Sequence, residues 1–152
     1  MLTEDLLAAW LRLTTVIDNQ RLTAAHGAAA GEKPLSFNEA VVCSLLARAG
    51  EEGGCLTATD LCRRTRILKS QMNAILRSLE RQGLIERRGS GTDRRRVELR
   101  LRPAGLAHYR ETHRRIRELV DRLVAEMGEE RVAVLLPLLR QAADIFDAME
   151  VI

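Results

Sequence analysis

Lys69, Ser70, Gln71, Asn73, Ala74 and Arg77 stand within nine residues of one another, and Asp93, Arg94, Arg95 and Arg96 follow in a second cluster. Gln and Asn each carry a donor beside an acceptor, so either can hold adenine through two hydrogen bonds, and Ser can bond several base edges. Lys69 suits a phosphate or a guanine. Arg77, one turn further along a helix, suits the phosphate backbone. The surrounding charge agrees. Residues 63–102 hold thirteen Lys and Arg against four acids, although the whole chain is only +3, so the remaining residues are net acidic. A basic stretch on an otherwise acidic body fits a polyanionic partner. Other chemistry finds little footing. The sequence has no Gly-x-Ser-x-Gly, phosphate loop or dinucleotide loop, and Gly89-Ser90-Gly91 leads into a strand pattern rather than a helix. His26, His108 and His113 share no ligand spacing with Cys43, Cys55 or Cys62. No catalytic residue, no metal and no cofactor are expected, and the chain is not read as an enzyme.

Helices must position most of these groups. Leu6, Trp10, Leu13 and Ile17 fall on one helical face from Thr3 to about His26, and Gly27, Gly31 and Pro34 end it. Ser36 to Glu39 has the form of a capping box ahead of Val41, Val42, Leu45 and Leu46. Thr57 to Asp60 offers a second cap, for a short helix over 58–66. A third helix over 68–82 turns Met72, Ile75, Leu76 and Leu79 inward and presents the residues at 69–77, with Gly83 closing it. The period then becomes two. Leu84 to Arg88, the turn residues 89–93 and the alternating Val97, Leu99 and Leu101 predict a β-hairpin, with Arg94 to Arg96 just past its tip. Three short helices followed by a hairpin is the order of a winged helix-turn-helix, in which the second helix of the turn lies in the major groove of double-stranded DNA. Pro103 suits the first turn of a further helix, whose Leu106, Tyr109, His113, Ile116, Val120, Leu123 and Met127 form a heptad-like seam. After Gly128, a last helix carries a broad apolar band that Pro137 should kink or begin.

The stretch Asp93-Arg94-Arg95-Arg96-Val97-Glu98-Leu99-Arg100-Leu101-Arg102-Pro103-Ala104-Gly105 resembles the wing pattern of the MarR family, D-x-R-x-x-x-L-x-L-T-x-x-G. Leu79-Glu80-Arg81-Gln82-Gly83-Leu84-Ile85-Glu86-Arg87 is similar to that family's L-E-x-x-G-L-[IV]-x-R, in the same order. The resemblance implies a homodimeric bacterial transcription factor, mostly of the repressor kind, whose wing reaches a minor groove. Arg95 matches the wing-tip arginine and Asp93 the carboxylate that positions it. An arginine so held loses less freedom on entering a narrow, negative groove. The resemblance also implies that the first helix and the last two form the dimer interface. Leu6, Trp10, Ile116, Val120, Leu123, Leu135, Leu139 and Phe146 are the expected contacts. It places a small-molecule effector between these helices and the winged region, in the neighbourhood of Trp10, His26 and Asn38. Two positions depart from the pattern: Arg102 replaces the usual threonine, and Leu68 stands where relatives often carry a Ser or Thr cap.

The expected fold class is mostly α (α+β). A winged helix-turn-helix domain with a two-stranded β wing spans 34–102, flanked by dimerisation helices at 1–33 and 103–152. The chain of 152 residues is long enough to bury a core without staples. An odd number of cysteines with no Cys-x-x-Cys argues for a reducing cytoplasm. Glu4 and Asp5 stand ahead of the apolar stretch that starts at Leu6, unlike a signal peptide, and the longest apolar run, Val132 to Leu139, is too short for a membrane span. The four aromatics are too few for a platform that stacks single-stranded bases. Two other readings of the basic region remain: a sequence-tolerant architectural DNA-binding protein, and a regulator that senses oxidants through a cysteine. A third is a protein-interaction module whose basic face has no role. Cys62 is expected to be a small core residue, and Cys43 and Cys55 are the alternatives for a sensor.

Overall fold

The computed structural model describes residues 1–19, 35–89, 91 and 95–149. Eight elements follow in order: α1 (Leu2–Asn19), α2 (Phe37–Glu51), α3 (Ala58–Thr65), α4 (Lys69–Arg81), β1 (Ile85–Gly89), β2 (Val97–Leu101), α5 (Pro103–Met127) and α6 (Glu129–Ala148). This is the mostly helical winged helix-turn-helix that the patterning predicts. The chain divides into two compact units, residues 1–113 and 114–152.

Local chemistry accounts for most boundaries in the first unit. Ser36 and Glu39 form a complete capping box at the start of α2, and Thr57 and Asp60 form another at the start of α3. Each satisfies two amides that a helix start leaves bare. The helix α3 stops one residue short of expectation, because Arg66 turns left-handed at φ 59° and closes the turn with its amide on the Cys62 carbonyl. The helix α4 begins at Lys69, with Leu68 as a cap residue that offers no side-chain bond. Gly83 takes φ 71° after α4, a conformation that costs glycine nothing.

The core lies among α2, α3, α4 and the hairpin. Val42, Leu61, Met72, Leu76 and Leu79 have no solvent exposure, and Leu99 has 2%. Burying one such side chain contributes roughly 1.5–3 kcal/mol relative to leaving it in water. The hairpin is antiparallel, with Ile85 opposite Leu101 and Gly89 opposite Val97. Its inner face carries Ile85, Leu99 and Leu101; its outer face carries Glu86, Arg88, Glu98 and Arg100. A single bridge adds Leu56 to the outer side of β2, where the Leu99 amide donates to the Leu56 carbonyl at 2.8 Å. Val97, at the far end of the strand, is 42% exposed because the hairpin has by then left the core.

The helix α1 is described only to Asn19, so the expected run to His26 and its breakers lie outside the described residues. Its apolar side chains are exposed from Leu2 to Val16. The second unit takes in the rest of α5 and all of α6. Pro137 neither begins nor interrupts α6, which runs through it. Its ring removes one backbone donor, and its exposed position lets water satisfy the carbonyl left over. No described residue of this unit is buried.

Candidate nucleic-acid interface

The helix α4 is built to show one side. Met72, Leu76 and Leu79 lock it to the core. Opposite them Ser70, Ala74, Arg77 and Arg81, spaced by four, three and four residues, form a fully exposed stripe. Gln71 is exposed on one flank of this stripe. Asn73 lies on the other flank and is half-buried. Lys69 is exposed in the first turn. All six expected residues of this helix therefore reach solvent, Asn73 least. Arg81 extends the stripe by one turn. Its spacing of four from Arg77 is the sequence signal for it.

The beginning of α4 differs electrically from those of α2 and α3. Both of the others fill their first-turn amides with a side-chain cap, whereas Leu68 supplies none. The positive end of the α4 dipole is thus left to an external acceptor, which for a helix start is commonly a phosphate.

A cleft of about 480 Å³ lies between the start of α3 and the tip end of β2. Thr57, Thr59, Asp60 and Arg63 line one wall, and Arg95, Arg96 and Val97 the other. The cleft brings together three guanidiniums and one carboxylate. Asp60 is held below the ordinary aspartate range, chiefly by the Thr57 amide that donates to it at 2.9 Å, with Arg63 adding attraction 3.8 Å away. It therefore stays ionised as the cap of α3, and the remaining charge of the cleft is positive. Arg95 and Arg96 are expected site residues; Arg63 and the two threonines join them only in the fold. No periodicity links residues 57–63 to residues 95–97; only the fold makes them neighbours. Asp93 and Arg94 lie outside the described residues.

The joint between α4 and the wing is tied by charge. Arg87 of β1 pairs with Glu80 of α4. On the outer wing face Arg88 pairs with Glu86 at 2.9 Å and Arg100 with Glu98 at 3.6 Å. These exposed pairs add little stability, but they keep some of the basic charge of the hairpin occupied.

The expected interface residues are solvent-facing in the single chain. Leu6 is 67% exposed, Trp10 50%, and Ile116, Val120, Leu123, Leu139 and Phe146 between 40% and 54%. Leu135 is half-buried. His113 is exposed and stacks obliquely with Tyr109, ring centres 5.6 Å apart. His26 lies outside the described residues, and Asn38 is half-buried at the start of α2.

Two of the thiols, Cys43 and Cys55, are held in the protonated form. Burial pushes the Cys43 thiol up to about 12, with the charge of Glu39 adding to the effect. Cys55 is raised mainly because its thiol donates to Glu98. Cys62 is half-buried and packs against the core. All three are free. Among the described residues no cluster of His, Cys, Asp and Glu could hold a metal ion, and no helix is long and apolar enough to cross a membrane.

Comparison with known proteins supplies the family. The MarR family pattern matches residues 35–96, which span the start of α2 to the residue before β2. The HTH-type transcriptional regulator FarR of Neisseria gonorrhoeae is 35% identical over 98 residues, which are 64% of this chain and 67% of FarR. Among solved structures, FabT of Streptococcus pneumoniae in complex with DNA superposes with a TM-score of 0.77 at 23% identity, over 97% of both chains. NadR in complex with 4-hydroxyphenylacetate superposes with a TM-score of 0.63 at 26% identity, over 95% of this chain and 94% of NadR.

Proposed function

The chain belongs to the MarR family of DNA-binding transcriptional regulators, and we propose that it acts as a homodimeric repressor on a pseudo-palindromic operator and releases it when a small molecule binds. The observation that carries this reading is the exposed polar and basic stripe of α4, set against a buried apolar stripe on the same helix. A helix held so firmly on one side and left so bare on the other is suited to enter a groove. Ser70, Gln71 and Asn73 would read base edges, while Lys69, Arg77 and the arginines of the cleft would meet phosphates. Arg95 would enter the minor groove, with Asp93 positioning it and Arg94 and Arg96 flanking it.

Two reading heads on a two-fold axis would meet half-sites about 34–36 Å apart. The exposed apolar faces of α1, α5 and α6 support pairing through these helices. NadR was crystallised with 4-hydroxyphenylacetate, an aromatic carboxylate, and a ligand of that size would have room in this chain. A cleft of about 420 Å³ has Leu46, Ala47, Leu99, Leu101 and Leu106 as its apolar lining and Arg100 and Arg110 among its other walls. A ligand that binds the non-reading arrangement better than the reading one would withdraw the heads from DNA by mass action.

The test is selection of bound fragments from the source genome, followed by titration of the selected duplex against random duplex. A regulator prefers its operator by on the order of a thousandfold or more. Equal affinity for both duplexes would give the architectural reading instead. Adding small carboxylates to the bound complex then tests release separately.

A further inference from the structure

The side chain of Glu39 does more than cap its own helix. One oxygen, Oε1, accepts the Ser36 amide at 3.3 Å and completes the capping box of α2. The other, Oε2, faces α4. It accepts a hydrogen bond from Gln82 Nε2 at 2.8 Å and from Ser78 Oγ at 3.2 Å. Gln82 Nε2 also lies 3.1 Å from Ser78 Oγ, so the three side chains close a ring. All three are half-buried. A glutamine would have served the cap as well as a glutamate does. The second carboxylate oxygen is what the contact with α4 requires.

The position of Gln82 gives this contact its leverage. Gln82 is the C-cap of α4, and the next residue is the left-handed Gly83 that turns the chain into β1. The carboxylate thus grips the joint from which both the reading helix and the wing depart. Elsewhere α4 is held to α2 by leucines, a methionine and a valine. Apolar burial is non-directional and resists sliding weakly, whereas a hydrogen bond weakens steeply once its distance or angle departs from ideal.

We propose that Glu39 is a positioning residue for DNA reading: it fixes the axial position and roll of α4 on α2 through Ser78 and Gln82, at the end of the helix remote from the bases. The proposal rests on the DNA-binding reading above. Its basis is a contact between residues thirty-nine and forty-three positions apart, which the cap motif alone does not imply.

A charge swap tests it. Gln82→Glu places a second carboxylate against Glu39, and Glu39→Gln in that background lets an amide donate to the new acid. The readouts are affinity for the duplex that the wild-type protein selects from a random library, and hydrogen exchange at the Gly83 and Leu84 amides. These amides close the end of α4 on the Glu80 and Leu79 carbonyls. Gln82→Glu is expected to weaken binding by about tenfold or more and to speed that exchange; the double variant should return to within about threefold of wild type on both. Ala49→Gly, at the other end of α2, serves as the control, since it lowers Tm without touching the ring. Its affinity should stay within about twofold of wild type at a comparable loss of Tm. The proposal is overturned if Gln82→Glu binds and exchanges like wild type, if the double variant is no better than Gln82→Glu, or if Ala49→Gly weakens binding equally. Failure of the wild-type protein to select any duplex sinks the DNA-binding reading itself. Failure of the swap to restore slow exchange sinks the role of Glu39 alone.

Discussion

At the residue scale, chemistry separates the arginines from the cysteines. Arg95 is exposed just before β2, on the tip side of the wing, and lines the basic cleft. It makes no contribution to the core, so its removal should leave folding alone. Arg95→Ala is expected to weaken operator binding by about 1–3 kcal/mol with an unchanged Tm, as read by fluorescence anisotropy beside thermal melts. Unaltered affinity would remove the wing from the binding account. The thiols point the other way. A sensor needs an accessible thiolate, and Cys43 is neutral up to about 12 while the Cys55 thiol holds its proton in a hydrogen bond donated to Glu98. Peroxide at neutral pH should therefore leave DNA binding intact, and loss of binding that a thiol reductant restores would revive the redox reading. The raised Cys43 thiol also sets a pH window. In the folded state it keeps its proton after the unfolded chain has begun to lose its own near 9. Its stabilising contribution is complete below that point and declines as pH rises toward about 12. Melts across this window should show Tm falling more steeply for wild type than for Cys43→Ala, even though the variant starts lower for want of a packed sulfur. Parallel slopes would mean that the thiol is solvated.

At the element scale, the joint between the wing and α5 leaves no room for a side chain at Gly105. A Cβ on Gly105 would sit 2.2 Å from the Leu84 carbonyl oxygen and 2.9 Å from Leu101 Cδ2. That same carbonyl accepts the Arg102 amide at 2.9 Å, so it cannot retreat without breaking the link between β2 and the strand it pairs with. Gly105→Ala is expected to cost about 1–3 kcal/mol in denaturant unfolding, the usual penalty for overfilling a packed site. A cost near zero would show that α5 can lift away from the hairpin freely. The glycine was visible in the sequence as the end of the wing motif, and so were both capping boxes, because each is a short-range pattern whose partners lie three residues apart. Arg66 was not. Nothing in an arginine announces a positive φ, and the residue takes it because α3 must stop before Ile67 can pack against the core. Pro137 does not mark the beginning of α6, because an exposed helix face tolerates the loss of one backbone donor. The cleft at Arg63, Arg95 and Arg96 and the ring around Glu39 escaped because their members come from distant segments that only the packed core brings together.

At the scale of the whole molecule, the second unit poses the question of what covers it. From residue 114 to 149 no described side chain is buried, yet this stretch carries Ile116, Leu119, Val120, Leu123, Val134, Leu136, Leu138, Leu139, Ile145 and Phe146 at 40% exposure or more. The helix α1 adds Leu2, Leu6, Leu7, Trp10, Leu11 and Leu13. So much apolar surface in water is unfavourable by about 25 cal/mol for each Å² left uncovered, and isolated monomers rarely tolerate large apolar patches. A second copy is the partner that the proposed homodimer calls for. Val120, 49% exposed in mid-helix on the predicted seam, is the position that tests it. Val120→Glu would place a carboxylate in that apolar seam and again in its two-fold mate, where burying it is costly. The variant is expected to run as a monomer by light scattering at micromolar concentration. Each head would then bind alone and forfeit the advantage of linkage, which for paired sites is about a hundredfold or more. Binding to an isolated half-site should change far less, since no residue of the reading helix or wing has been touched. A Val120→Glu protein that remains dimeric and keeps its operator affinity would mean that the seam packs against its own chain and that the two heads are joined by other surfaces. A dimer that persists while operator binding is lost would instead mean that α5 sets the spacing of the heads rather than their association.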